Sequence, residues 1–211
     1  MVSMANRRSI MVLYSDVSDP SGHSTRIVLA EKDINVEINY IQQGEIPQEL
    51  SELNPYNSIL TLIDRDLVLY DAQIIMEYLD ERFPHPPLLP VDPVNRASNR
   101  QYRQRVIKDL YGLLDDLYSQ NEIAANNARK SFRDHLTAIA PIFSQKPYFM
   151  SDEYSLVDCC MAPLLWRLGE LGIKLPPSAK PLQEYANRLF EREAFQTSLS
   201  TYEKELNEEV A

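Results

Sequence analysis

Glycine is scarce in this chain, with five among 211 residues. None of them falls in a Gly-x-Gly-x-x-Gly or Gly-x-x-x-x-Gly-Lys pattern, whose bare backbone cradles phosphates, so a nucleotide loop of either kind is excluded. Cysteine is scarcer: Cys159 and Cys160 stand alone and adjacent. Neighbouring residues on a helix point in different directions, and such a pair has neither Cys-x-x-Cys nor metal-ligand spacing. The two read as small apolar side chains of a reduced protein. Of the three histidines, His23 and His135 have no Asp, Glu or Cys at ligand spacing. Both read as solvent or packing histidines, and no metal is expected. No apolar run approaches the roughly 18 residues of a membrane-spanning helix. Arg7 and Arg8 are followed only by the short run Ile10 to Tyr14, too brief for the core of a secretory signal, so a cytoplasmic location is expected. Positive charge is also short: 21 Lys and Arg stand against 31 Asp and Glu, for a net charge of −10. Neutralising phosphates takes clustered cations, so direct nucleic-acid binding is not expected. Such a balance favours solubility and partners with basic patches.

What is present is the patterning of two compact domains, within reach of 211 residues that are 44% hydrophobic and 25% charged. Ile10 to Tyr14 reads as a buried strand, Ser15 to Gly22 as a polar loop, and Ser24 to Lys32 as a helix. Val36 to Ile41 alternates as a half-buried strand does. Ile59 to Ile63 and Leu67 to Tyr70 flank the turn Asp64-Arg65-Asp66 and predict an antiparallel hairpin. Asp71 is a good N-cap for a helix from Ala72 to Phe83, with Ile74, Ile75, Tyr78 and Leu79 as its stripe. Residues 9–83 thus read β-α-β then β-β-α, the order of a thioredoxin-like domain, whose first half needs a parallel crossover.

Pro84, Pro86, Pro87, Pro90 and Pro93 cannot continue a helix and mark residues 84–93 as a stiff linker. Residues 94–211 read as an all-helical domain. Helices are expected over Asn95 to Ser119 and over Asn126 to Phe143. A third runs from the capping box Ser155-Leu156-Val157-Asp158, with Asp where Glu or Gln is usual, to about Leu171. Lys180 to Arg192 and Ser198 to Leu206 complete the set. Leu164, Leu165, Trp166 and Leu168 read as core. The fold class is α/β plus all-α.

Arg26 to Lys32 resembles the first helix of the glutathione transferase superfamily, Leu53-Asn54-Pro55 its approach to the third strand, and Ser155 to Asp158 its capping box. A narrower likeness is carried by three strings: Ile75 to Leu88, Gln145-Lys146-Pro147-Tyr148-Phe149, and Ala162 to Leu168. These resemble the stringent starvation protein A branch of that superfamily. The resemblance implies a homodimer, or a heterodimer with a paralogue. It also implies association with RNA polymerase holoenzyme and its sigma factor, with altered transcription under stress.

Glutathione chemistry would need a hydroxyl or thiol at the start of the first helix, where free N–H groups and the helix dipole favour a thiolate. Tyr14, Ser15, Ser18, Ser21 and Ser24 are the candidates, and each serine also reads as a turn or cap residue. The family's cis-proline beside the third strand corresponds here to Leu60. A cis bond before a non-proline residue costs about 2.5–4 kcal/mol, so a trans bond and a reshaped edge are expected. The family's acidic-Ser pair at the next helix corresponds to Asp71-Ala72. Ala72 has no hydroxyl, although a helix N-terminus still attracts anions. A degenerate glutathione site at Ser15, Leu60, Asp71 and Ala72, no cofactor and a lost activity are expected, since fold alone does not confer function. A divergent glutathione-dependent transferase or peroxidase using a loop serine is the alternative.

Pro84-His85-Pro86-Pro87 reads on composition as a rigid connector. The resemblance instead makes the Pro-His-Pro element an exposed surface for transcriptional activation, on a backbone shaped before binding. Asp92 follows it without an assigned role. Arg96, Arg100 and Arg103, with Arg105 and Lys108, form a basic stripe. It reads as a solvated helix face, then as a dimer contact, and last as a contact to DNA.

Overall fold

The chain's central strand is β1, Met11–Asp16, which runs parallel to β2, Val36–Ile41, with Met11 against Val36 and Asp16 against Ile41. On its other side it is antiparallel to β3, Thr61–Asp64, which pairs antiparallel with β4, Leu67–Leu69. The sheet order is β2-β1-β3-β4. The structure is a computed structural model that describes residues 10–42, 45–56 and 58–208; the segment with Arg7 and Arg8 lies outside them.

The parallel pair needs a crossover, which α1, Pro20–Glu31, supplies. This helix begins inside the expected polar loop. Asp19 caps it, accepting from the Ser21 and Gly22 N–H groups at 3.1 and 2.9 Å, and Pro20 fills the first position, where its missing N–H costs nothing. A short helix, α2 at Gln48–Leu53, was not expected. It buries only Leu50, too little for a helical period to register. β3 starts two residues late because Asn54, fully buried, holds the preceding turn. Its amide donates to the Ser58 carbonyl at 2.9 Å and to Thr61 Oγ1 at 3.0 Å. α3, Ala72–Arg82, follows β4 and packs against α1.

In the helical part, α4, Pro93–Asp109, is capped by Asp92, which accepts from Asn95 N–H at 2.9 Å. The helix expected to reach Ser119 breaks at Leu110 into a 3₁₀ turn, Tyr111–Leu113, and α5, Leu114–Leu117. Gly112 lies in the break, where glycine is about 1 kcal/mol worse than alanine in a helix. The Tyr111 hydroxyl donates to the Cys160 carbonyl at 2.9 Å. Capped by Asn121, α6 spans Glu122–Ile139 and gives way to a 3₁₀ turn at Ala140–Ser144.

The capping box is present at the start of α7, Leu156–Trp166, which ends five residues before the expected Leu171. Asp158 is fully buried and accepts from Ser155 N–H, Phe149 N–H and the Tyr185 hydroxyl at 2.8, 2.9 and 2.7 Å. Burial raises the Asp158 carboxyl above its usual range and the Tyr185 phenol well above 10, so the phenol stays a donor. Cys159 and Cys160 are buried on α7 and form no disulfide. Trp166 is half-buried, edge-on to Phe190 and Phe195. α8, Lys180–Phe190, packs against α7. Two helices, α9 at Glu193–Ser198 and α10 at Thr201–Glu208, replace the expected terminal one. No helix among the described residues is long and apolar enough to cross a membrane.

The chain forms two compact units, and their boundary is not purely sequential. The first unit ends at Pro86 and takes back Thr197–Glu205; the second is built on Pro87–Gln196. Thr197–Glu205 therefore departs from the expected helical domain of residues 94–211. The reason is a polar cluster. Arg26, 1% exposed, donates to Glu203 Oε2 at 2.6 Å and to the Ser198 carbonyl at 3.1 Å. His23 Nδ1 lies 3.3 Å from Glu203 Oε1, and its Nε2 lies 3.1 Å from Ser198 Oγ. Ser200 Oγ donates to the Val17 carbonyl at 2.8 Å. His23 is thus a packing histidine in a buried ionic group, not a solvent one. Removing one partner of such a pair strands the other charge. Glu203→Ala should destabilise the first unit by about 3–5 kcal/mol. Amide exchange across α1 should accelerate while α7 keeps its protection; unchanged exchange in α1 would count against this role.

Candidate functional site

The strand register gathers the glutathione-site candidates at one end of the sheet. Tyr14 pairs with Thr61 and Leu62 with Leu69, so Ser15, Leu60 and Asp71 continue past the same edge of the pairing. Ser15 is fully buried there. Its Oγ accepts from Arg26 Nη1 and donates to the Asp16 carbonyl at 3.2 Å. Gly22 packs so close that a Cβ at that position would lie 2.5 Å from Ser15 Oγ. Ser15 is thus a buried member of the arginine cluster.

The hydroxyls of Ser18 and Ser24 are engaged as well. Ser18 donates through its N–H and Oγ to Asp16 Oδ1 at 2.7 and 2.8 Å. Ser24 is buried and donates to the Ser21 carbonyl at 2.9 Å, as Thr25 does at 3.1 Å. Tyr14 is half-buried in β1. The first N–H groups of α1, where a thiolate would be stabilised, face the carboxylate of Asp19.

Leu60 is buried, and the cis peptide bond among the described residues joins His85 to Pro86, so the bond before Leu60 is trans. Asp71 has φ 111° and ψ 121°, a strained setting for a residue with a Cβ. Its carboxylate accepts from Gln73 and Ile74 N–H at 2.8 and 3.2 Å, so this helix start is self-capped as well. Ala72, 9% exposed, brings no hydroxyl. Among the described residues no group of three or more His, Cys, Asp or Glu side chains could hold a metal ion.

The four residues Pro84, His85, Pro86 and Pro87 are all exposed. They are held from within by Lys32, itself buried, whose ammonium donates to the Phe83 carbonyl at 2.8 Å, to the Pro86 carbonyl and to Asp80 Oδ1.

Comparison with known proteins bears on both regions. The glutathione S-transferase N-terminal domain family matches residues 14–87, and the glutathione S-transferase C-terminal domain family matches residues 94–193. A stringent starvation protein A homolog of Pasteurella multocida (strain Pm70) is 50% identical over 200 residues, 94% of each chain. One from Coxiella burnetii (strain RSA 493 / Nine Mile phase I) is 47% identical over 203 residues, 96% of this chain and 97% of that one. The chain belongs to the stringent starvation protein A family. Within the wider superfamily, the maleylacetoacetate isomerase of Rattus norvegicus is 30% identical over 199 residues, 89% of this chain and 91% of that one. The fold is shared with the bacterial glutathione transferase BphK, solved as a ternary complex, at a TM-score of 0.83 and 23% identity, covering 92% of this chain and 99% of that one.

In this member of the stringent starvation protein A family the basic stripe of α4 is not one surface. Arg103 is buried, and Arg96 is half-buried with its Nε donating to the Pro90 carbonyl at 2.9 Å, so only Arg100, Arg105 and Lys108 are exposed. His135 is exposed. Sequence reasoning missed Lys32, Asp19 and Glu203. Asp19 carried a visible signal, an Asp-Pro pair ahead of a helical run. Lys32 and Glu203 carried none, because their partners lie far away in sequence. Asp19→Ala should cost about 1 kcal/mol in a urea titration, the usual loss of a cap. A stability equal to that of the unaltered chain would remove Asp19 from the account of why α1 starts where it does.

Proposed function

We propose that this chain is a transcription regulator of the stringent starvation type, acting by protein contact with RNA polymerase holoenzyme and its sigma factor in a stress or stationary-phase response. The contact surface is Pro84-His85-Pro86-Pro87. The observation that carries the reading is that all four residues are exposed on a backbone tied down from inside by Lys32. A surface shaped before binding loses little entropy on association. The family resemblance supplies the partner. Nothing in this reading requires catalysis, nucleic acid or a membrane. The protein works in the cytoplasm as a homodimer, or as a heterodimer with a paralogue.

The test is capture of polymerase holoenzyme by the doubly substituted protein. His85→Ala with Pro84→Ala should leave the circular dichroism spectrum and the gel-filtration volume unchanged and lower the polymerase retained. Retention equal to that of the unaltered protein would sink the surface.

A second reading, a divergent glutathione-dependent transferase or peroxidase, is favoured by one observation: a relative at 30% identity over most of the chain bears an isomerase's name. The self-capped starts of α1 and α3, the buried Ser15 and the missing hydroxyl at Ala72 weigh against it. Calorimetric titration with glutathione decides between the two. No saturable heat is expected, and a micromolar Kd would overturn the regulatory reading's claim that the cleft is lost.

A further inference from the structure

Lys32 is an unusual side chain to find buried. It is 6% exposed, at the end of α1, and its ammonium spends its donors on three oxygens from one short stretch of chain. One is the carboxylate of Asp80, on the last turns of α3. The other two are the carbonyls of Phe83 and Pro86, which bracket Pro84 and His85. A buried ammonium needs a counter-charge and filled hydrogen bonds, and Asp80 and the two carbonyls provide both. Three of the four residues Pro84 to Pro87 are prolines and lack an N–H, so ordinary backbone ladders cannot hold them. The segment's internal anchor is therefore a side chain from a different helix. Within Pro84–Pro87 only His85 carries a backbone N–H, and the Pro86 carbonyl is the one that Lys32 holds.

We propose that Lys32, neutralised by Asp80, is the positioning residue of the Pro84–Pro87 surface: it sets the outward orientation of His85 and the prolines and so controls partner binding without touching the partner. This rests on the reading of Pro84–Pro87 as the contact surface. The clamp fixes which carbonyls face inward and which face the partner. It also ties the display to the packing of α1 on α3, the two helices that carry the ion pair.

The experiment uses the full chain and polymerase holoenzyme. Lys32→Met combined with Asp80→Leu removes both charges together, so no ion is left buried alone. This variant should keep its circular dichroism spectrum and bind holoenzyme at least tenfold more weakly, whereas Lys32→Arg in the otherwise unaltered chain should keep part of the affinity. The chain has three histidines, so the imidazole resonances can be assigned. The His85 signal should move toward its random-coil position while those of His23 and His135 stay in place. A general loss of stability would move buried His23 as well. Should the double variant fail to fold, Lys32→Gln with Asp80→Asn, which keeps neutral hydrogen-bonding groups and leaves no ion alone, makes the same comparison. Unchanged holoenzyme affinity alongside a shifted His85 signal overturns the proposal. So does a His85 signal that does not move. If Pro84→Ala with His85→Ala also binds normally, the contact surface itself is wrong; if only that variant loses binding, the clamp alone is.

Discussion

A guanidinium removed from water sets the terms for the first unit. Arg26 carries five N–H donors in a fixed fork and cannot shed its proton, so its surroundings must supply acceptors. Glu203, the Ser198 carbonyl, Ser15 Oγ and the Asp16 carbonyl do so. Each acceptor comes at a structural cost. Ser15 must face inward from the end of β1, Gly22 must lack a side chain, and Ser198 to Glu203 must return from the far end of the sequence to close the cluster. A hydrogen-bonded charge of this kind fixes which segments meet more strictly than apolar packing, because a misplaced acceptor leaves the ion unpaired.

The same economy appears at the helix starts. In a fold that can bind a thiol peptide, the N-termini of α1 and α3 are places where backbone N–H groups attract an anion. Here each carries its own anion. Asp19 and Asp71 lie on the two starts, and Asp71 holds its position at a backbone angle that most residues avoid. A helix whose first donors are already matched by a local carboxylate gains little from a second negative group. The donors at both helix starts are therefore met by hydrogen bonds that stabilise the fold, while the proline segment beyond α3 is exposed.

Much of this was legible in the residues. The order of strands and helices, the turn at Asp64 to Asp66, the cap at Asp71 and the box at Ser155 to Asp158 all rest on contacts within a few residues, and local patterns report them. The failures also have a physical cause. α2 has one buried side chain and so no period. The long helix after Pro93 was misread across Gly112 because leucines on both sides keep helical spacing through the break. The start of α1 was hidden by its polar first turn, whose His23 is buried against partners far away in sequence. Arg26 with Glu203 and Lys32 with Asp80 are pairs separated by 177 and 48 positions, and one sequence holds no sign that such charges meet. The proline segment was visible as a pattern, and its exposure required coordinates.

The return of Thr197–Glu205 to the first unit gives synthesis a direction. A nascent chain emerges from its amino end and folds domain by domain as it appears. The sheet and α1 of this protein are made early, yet the carboxylate that pairs with Arg26 is joined 177 residues after it. While Pro87–Gln196 is being made, Arg26 still lacks the Ser198 carbonyl and the Glu203 carboxylate. The second unit is built mainly on the continuous stretch Pro87–Gln196, which is made before Glu203 is joined. A chain that stopped after Gln196 would lack the acceptors that Ser198 and Glu203 give Arg26.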